Sequence, residues 1–398
     1  MKVLQVNTVF GSGSTGRIAK DLYDTLEANG HQCCVAYGRG NSLNGYNTVK
    51  IGNKLDIYAH VLKTRVFDLH GFGSKKATID LINFIKSYNP DVIHLHNLHG
   101  YYINIEILFN YLSTLSIPIV WLLHDQWAIS GHSAYFNLDV DGNIPEYNSN
   151  KKQKYEYPKT FLFSRSKQNY QRKRKIFTSI KNMTIVTPSD WLNNIVKKSF
   201  LSKYPIKVIN NGIDISQFKP TPSEFRNKYG LVDKKVILGV ASIWEERKGL
   251  SFFNKIAKHL DENTKIILVG IEKKEMKKLQ PNIISISRTE SIRQLAEIYT
   301  AADVFVNPTL EDNFPTTNIE SLACGTPVIT FNTGGSPESI DENSGIVVER
   351  GNINKLINTV MKFNPINYSE KYCVERANKY YAKNVINLQY LNLYNSLI

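Results

Sequence analysis

The chain has 398 residues, 42% apolar and 21% charged, an ordinary balance for a soluble globular protein but more chain than one hydrophobic core usually serves, so two domains are expected. The net charge of +14 points to an anionic partner: nucleic acid, an anionic membrane surface or an anionic substrate. No nucleic-acid motif accompanies that charge, no apolar run approaches the ~20 residues of a membrane span, and the start MKVLQVN lacks a signal-peptide pattern, so a cytoplasmic protein that does not bind nucleic acid is expected. Cys33, Cys34, Cys324 and Cys373 show neither metal spacing nor a disulfide framework and read as buried, reduced thiols.

Lys2 to Val9 alternates as a strand and runs into Phe10-Gly11-Ser12-Gly13-Ser14-Thr15-Gly16, after which Ile18 to Asn29 reads as a helix, Gly30 as its cap and Gln32 to Tyr37 as the next strand. Gly11, Gly13 and Gly16 match the spacing of a dinucleotide fingerprint. Such a site also wants an acid at the end of the second strand, where this chain has Tyr37-Gly38-Arg39-Gly40, so an oxidoreductase is not favoured. Ile57 to Phe72 is amphipathic, either an ordinary surface helix or a face that meets a membrane or an acceptor. After a helix from Thr78 to Tyr88, the strand at Val92 delivers His94, His96, Asn97 and His99 to a loop. A metal there would need a fourth ligand and second-shell partners with no evident source, so a polar loop lining a cleft is the favoured reading, with no metal.

The strand Ile119 to Leu123 ends in His124-Asp125-Gln126-Trp127, a position suited to acid–base groups. Periodicity then lapses from Gly131 to about Phe177. Within that stretch Asp139-Val140-Asp141, followed by Gly142-Asn143, reads as a turn rather than a metal site. Arg165 to Lys175 is strongly basic, a face for acidic lipid headgroups or a solvated helix surface. Strands at Thr184 to Thr187 and Lys207 to Ile209 close the first half, and Asn210-Asn211-Gly212-Ile213-Asp214 marks a boundary.

Val236 to Ala241 opens the second half as a strand, and its loop, Ser242 to Gly249, carries Arg247 and Lys248. Strands at Lys265 to Gly270 and Ile283 to Ile286 follow, the latter ending in Ser287-Arg288-Thr289. Ala302 to Val306 is strand, Asn307 to Pro315 loop, Thr316 onward helix until Gly325-Thr326-Pro327, and Val328 to Phe331 strand again. Such a loop lies where open α/β sheets place ligands, and the helix start suits a phosphate. Asp312 and Glu320 stand eight apart, one on each side of that anion site. Two acids so placed read as hydroxyl acceptors flanking a diphosphate, one for a sugar and one for a ribose. Gly334-Gly335 offers a second place where backbone amides approach phosphate.

The segment from Asn307 to Pro327 resembles the E-x7-E motif of retaining glycosyltransferases of family 4 with the GT-B fold, departing from it in having Asp312 where the first Glu is usual. Asn210 to Asp214 resembles the interdomain connection of that superfamily, and Tyr299 with Ala302-Asp303 repeats another of its phrases. The resemblance implies an α/β fold of two Rossmann-like domains with parallel sheets facing a cleft: an acceptor domain, residues 1–209, joined by a C-terminal helix, residues 373–398, and a nucleotide-sugar domain, residues 210–372. It implies Asp312 at the sugar, Lys248 and Arg247 at the diphosphate with Ser242 where an Arg is usual, Asn313 and Phe314 in the donor loop, Thr316 and Thr317 at the phosphates, Glu320 at the ribose and Arg288 near the base. His124 would lie beside the transferred sugar, Gly13 near the donor phosphates, and Ser14, His96 and Asn97 on the acceptor side.

No cofactor is expected beyond a UDP- or GDP-linked sugar as co-substrate. The acceptor would be a saccharide or a lipid-diphosphate-linked repeat unit of a bacterial surface polysaccharide, with peripheral contact to an anionic membrane. The competing readings are a nucleotide-sugar epimerase, for which acid–base residues around C2 of the sugar are not evident, and a non-catalytic binding protein for a nucleotide-sugar or glycan.

Overall fold

The computed structural model describes residues 1–136 and 157–398; the Asp139-Val140-Asp141 turn lies outside the described residues. The chain forms two compact units, residues 1–209 with 387–398, and residues 210–386.

The first unit is built on a seven-stranded sheet: β1 (Lys2–Asn7), β2 (Gln32–Tyr37), β3 (Thr48–Lys50), β4 (Val92–Leu95), β5 (Ile119–Leu122), β6 (Met183–Thr187) and β7 (Ile206–Val208), in the order β3-β2-β1-β4-β5-β6-β7. Every adjacent pair is parallel. Helices cover both faces of such a sheet, so its strands read as continuous apolar runs. All four residues of β4 and of β5 are buried. Trp121, Phe109 and Phe177 pack ring to ring at the centre.

The second unit repeats the design with six strands: β8 (Lys235–Val240), β9 (Thr264–Val269), β10 (Ile283–Ile286), β11 (Val304–Asn307), β12 (Val328–Phe331) and β13 (Gly345–Val348), in the order β10-β9-β8-β11-β12-β13, again parallel throughout. Leu238, Ile267 and Phe305 lie fully buried in its core, each such side chain contributing about 1.5–3 kcal/mol by leaving water.

Three expectations are revised. The helix expected over Ile57 to Phe72 spans Lys54–Phe67, because Asn53 caps it reciprocally with Asp56 and Asp68 ends it in a left-handed conformation at φ 55°. The basic run lies in the helix Ser166–Phe177 and is not wholly a surface: Lys173 is 1% exposed, its Nζ donates to the carbonyls of Trp127 and Ser130 and sits 3.5 Å from the Trp127 ring centroid. Burial drives its ammonium well below the usual lysine range.

The third revision concerns the tail, which is two helices rather than one. In Glu370–Tyr381 the stripe Cys373, Ala377 and Tyr381 joins the core of the second unit. Ala382 breaks the helix with ψ 131°. Lys383–Leu397 follows, and from Asn387 onward its residues belong to the first unit. The division therefore falls at residue 387 instead of 373.

Candidate active site

Each sheet reverses its winding once, between β1 and β4 in the first unit and between β8 and β11 in the second. Ligands of open α/β sheets bind outside the carboxyl ends of the strands at such a switch point. The loops after those four strands carry most of the residues singled out from sequence.

In the second unit the loop after β8 ends in a turn of 3-10 helix, Glu246–Lys248, stopped by Gly249 at φ 79°. A Cβ at Gly249 would stand 2.3 Å from the carbonyl oxygen of Pro308, so glycine lets this loop close on the one after β11. The Leu310 N–H donates to the Arg247 carbonyl at 2.7 Å, and the Thr309 hydroxyl donates to the same oxygen. That closure places Lys248 Nζ 2.6 Å from Asp312 Oδ2. The loop after β12 closes from its own side: the Gly335 N–H donates to the Asn313 carbonyl, and Gly334, at φ 57°, approaches Asp312 so closely that a Cβ would lie 1.7 Å from its carbonyl oxygen.

The helix Thr316–Ala323 begins after Pro315 with no side-chain cap and no acid in its first turn. Its first N–H groups, those of Thr316 and Thr317, are therefore the donors that a helix start offers to an anion. Glu320 is 2% exposed and accepts a hydrogen bond from the Tyr299 hydroxyl at 3.2 Å. Behind the helix a buried polar network locks it to the strands. Asn307 donates to Asn318, Asn318 donates to Ser336 and Ser339, and Thr330 bonds Ser336. Sequence reasoning missed this network, whose members come from separate elements; the one available signal was Asn318, an amide on a helix with buried neighbours.

Not every expected donor residue is drawn in. Ser242 and Arg288 are exposed at the ends of β8 and β10, and Arg247 Nε pairs with Glu245 at 2.7 Å. Phe314 is buried with its ring 5.7 Å from that of Tyr381, and its carbonyl accepts from Asn211. Its place is in the packing that supports the loop.

In the first unit, Gly13 and Ser14 are exposed at the start of the helix Gly13–Ala28. Asn7, which sequence reasoning passed over, ties the two switch-point loops together, donating to the Thr15 carbonyl and accepting from the Asn97 N–H. A small, open cleft lies at the ends of β4 and β5, lined among others by His96, Asn97, His99, His124, Asp125 and Trp127.

The hydrogen bonds here define the histidine tautomers. Gln5 Nε2 donates to the Ala19 carbonyl at 3.0 Å, which turns Gln5 Oε1 toward His96 Nε2 at 2.9 Å. His96 therefore donates from Nε2 and accepts at Nδ1. The partner at Nδ1 is His124 Nε2, 3.3 Å away, so His124 carries its proton on Nε2 and its lone pair on Nδ1. Burial lowers His124 to about 4 and His96 well below the usual range, so both rings are neutral at pH 7. His96 itself is buried with both ring nitrogens engaged, one of them by His124.

His99 Nε2 lies 2.5 Å from Asp125 Oδ2 and its Nδ1 3.1 Å from the Tyr157 hydroxyl. Burial alone would raise the Asp125 carboxyl, but His99 and the Trp127 N–H hold it below the ordinary value. The three histidines weighed as metal ligands are thus partnered elsewhere, His94 with Tyr394, and among the described residues no group of three or more His, Cys, Asp or Glu is placed to hold a metal ion.

A cation, a carboxylate and an uncapped helix start at one switch point suit an anionic ligand that also bears hydroxyls, and a neutral, oriented imidazole at the other suits a hydroxyl. Two doubly wound units with such sites suit a protein that handles a nucleotide-bound group, and comparison with known proteins identifies the family. The model of the glycosyltransferase family 4 domain matches residues 15–217 and that of glycosyl transferases group 1 matches residues 234–363. The chain belongs to glycosyltransferase family 4.

Among curated proteins it is similar to a GDP-mannose-dependent phosphatidylinositol monomannoside mannosyltransferase of Corynebacterium glutamicum, 28% identical over 46% of this chain and 52% of that one. It is also similar to the UDP-Gal:alpha-D-GlcNAc-diphosphoundecaprenol alpha-1,3-galactosyltransferase of Escherichia coli, 26% identical over 42% of this chain and 47% of that one. The chain spans about half the length of the curated relatives it matches. Among solved structures the fold matches sucrose-phosphate synthase of Thermosynechococcus elongatus, with TM-score 0.73, 15% identity and coverage of 100% and 98% of the two chains. It also matches Anabaena HepE in complex with UDP, with TM-score 0.71, 14% identity and full coverage of both chains. At these identities the structures show the fold alone, that of GT-B glycosyltransferases.

Proposed function

We propose that this protein transfers a hexose or amino sugar from a nucleoside diphosphate sugar to a saccharide or lipid-diphosphate-linked acceptor, with retention of configuration, in the assembly of a bacterial surface polysaccharide. The observation that carries the reading is the Lys248–Asp312 pair at 2.6 Å beside the uncapped start of the helix Thr316–Ala323. In the reaction the bond from the anomeric carbon to the diphosphate oxygen breaks and its electron pair stays with the diphosphate. The acceptor hydroxyl oxygen bonds the anomeric carbon and its proton passes to the departing phosphate. Lys248, with Arg247 as the nearest guanidinium, and the Thr316 and Thr317 N–H groups meet the negative charge as it develops, which is where preorganised donors lower a barrier.

Asp312 holds a sugar hydroxyl, Glu320 the ribose, and Ser242, Arg288 and Asn313 line the donor loops. His124 accepts a sugar hydroxyl at Nδ1, while Asn97, Gly13 and Ser14 edge the switch point of the first unit. No metal takes part. The relatives named for GDP-mannose, UDP-galactose and lipid-linked acceptors support this substrate class.

The test is a thermal-shift panel of UDP, GDP and ADP, with and without EDTA, on wild type and on Glu320→Gln, which preserves the shape of a buried side chain. A diphosphate at 100 times its Kd stabilises by about 2.7 kcal/mol. The reading expects one diphosphate to stabilise wild type in EDTA and to lose most of that effect in the variant, and expects the matching sugar nucleotide to be consumed with a lipid-linked acceptor. Stabilisation without turnover would leave a binding protein, a change at C2 of the sugar without transfer an epimerase, and a metal requirement would overturn the site.

A further inference from the structure

The helix Lys54–Phe67 leaves much of its apolar surface outside. A surface helix normally buries its apolar stripe and shows its polar one. Here the two fully buried residues are polar, His60 at 1% and Thr64 at 0% exposure, with Ile57 and Val61 half-buried beside them, while Leu55, Tyr58 and Leu62, at i, i+3 and i+7, stand 77%, 69% and 64% exposed. The inward face is committed: His60 Nδ1 bonds the Ser74 hydroxyl and its Nε2 accepts from the Gly71 and Gly73 N–H groups.

A second segment with exposed apolar residues lies against the end of this helix. The N–H groups of Phe161 and Phe163 donate to the carbonyls of Arg65 and Val66 at the end of the helix, and Phe163 stacks on Phe67 with ring centroids 5.9 Å apart and planes 9° from parallel. Phe161, Leu162 and Phe163 are themselves 58%, 64% and 53% exposed. A backbone-anchored row of three large apolar residues facing water has no part in a core, and exposed apolar residues gathered about one helix mark an interaction surface.

Its flanks are basic. Lys54, Lys63 and Arg65 lie on the helix, and Lys159 and Arg165 bracket the apolar triplet. Both acids of the helix region are turned to other work, Asp56 accepting the Asn53 N–H at the cap and Asp68 buried against His132. Apolar and aromatic side chains inside a rim of lysine and arginine complement the chemistry of an anionic lipid interface: acyl boundary in the middle, headgroup phosphates around it.

We propose that this face, Leu55, Tyr58 and Leu62 with Phe161, Leu162 and Phe163, docks the protein peripherally on an anionic bilayer, lying in the interface rather than crossing it. No helix among the described residues is long and apolar enough to span a membrane. Docking of this kind would bring the enzyme to a lipid-linked acceptor, and to that extent it rests on the substrate reading above; the surface itself is tested without any substrate.

The experiment is co-sedimentation of the full chain with vesicles of pure phosphatidylcholine and of phosphatidylcholine with phosphatidylglycerol, at low and high salt. Three proteins are compared: wild type, Leu62→Ser with Phe163→Ser, and Lys63→Glu with Arg165→Glu. Wild type is expected to pellet with the anionic vesicles and to be released by salt, since lipid charge is screened within about 8–10 Å near physiological ionic strength. The apolar variant is expected to lose binding at every salt concentration. The charge variant should bind more weakly by at least about fivefold per basic residue removed.

These positions are exposed, so circular dichroism and melting of both variants should match wild type, and so should the UDP or GDP thermal shift. That nucleotide response separates failure of the docking surface from failure of the substrate reading. Absence of wild-type binding to anionic vesicles, or equal binding by the apolar variant, overturns the proposal. So does a wild-type dimer in light scattering that the apolar variant converts to monomer, because the face would then be covered by a second copy.

Discussion

Acid should unfold the first unit before the second. Eight of the nine histidines lie in the first unit, and the ninth, His259, is exposed in the second. Burial lowers His60 to about 4, His94 to about 3 and His124 to about 4, from 6.5. The unfolded chain therefore binds more protons than the folded one between the two values, so stability is fully present above pH 6.5 and is lost as pH falls toward 4. At pH 5 each of these histidines costs about 2 kcal/mol relative to pH 8, by linkage from those values. Three of them reach about 6 kcal/mol as an upper bound, because His94 and His124 repel one another when charged.

Against a folding free energy of about 5–15 kcal/mol that loss is large, and it should lower the melting temperature of the first unit by roughly 10–20 °C while the second moves little. Differential scanning calorimetry at pH 8, 6.5 and 5 reads both transitions. His94→Phe removes one proton site and leaves the Tyr394 hydroxyl without its histidine partner. It should therefore lose about 1–3 kcal/mol at every pH yet show a pH dependence smaller by about 2 kcal/mol. A first-unit transition that stays put from pH 8 to pH 5, or a His94→Phe slope equal to wild type, would refute the argument.

Lys248→Met should lower kcat by about 10²–10³ with the fold intact, since it removes one preorganised cation where phosphate charge develops; steady-state transfer assays with circular dichroism check it, and an unchanged kcat removes Lys248 from the reaction. Gly334→Ala places a Cβ 1.7 Å from the Asp312 carbonyl at a backbone φ of 57°, so nucleotide-induced thermal shifts should weaken by an order of magnitude or more through displacement of Asp312. Gln5→Met removes the acceptor that orients His96, and nitrogen NMR of the imidazoles should show the His124 proton redistributed between Nδ1 and Nε2, with transfer about tenfold slower. Retention of the Nε2–H form in that variant would show that Gln5 does not set the tautomer.

The fold class was legible because its signals are local. Apolar runs such as Val236 to Ala241 and Ala302 to Val306, each followed by a loop and a helix, describe parallel strands whatever their neighbours, and the eight-residue interval from Asp312 to Glu320 is visible in one dimension. The carboxyl-end placement of Lys248, Asp312 and His124 follows from the same pattern. Helix limits were less legible where a cap decided them, as Asn53 and Asp68 did for Lys54–Phe67.

Partnership could not be read in this way, because it depends on which segments the folded chain brings together. Lys248 meets Asp312 across 64 positions only after two loops close on glycines. Gln5 reaches His96 across 91 because β1 and β4 are neighbours at the switch point. Lys173 reads as one more charge in a basic run until packing against Trp127 buries it. The outward stripe of Leu55, Tyr58 and Leu62 looks from sequence like any amphipathic pattern. Periodicity says that a helix has an apolar side, and only packing decides whether that side faces the core or the solvent. Here His60 and Thr64 took the buried positions, and Leu55, Tyr58 and Leu62 were left outside.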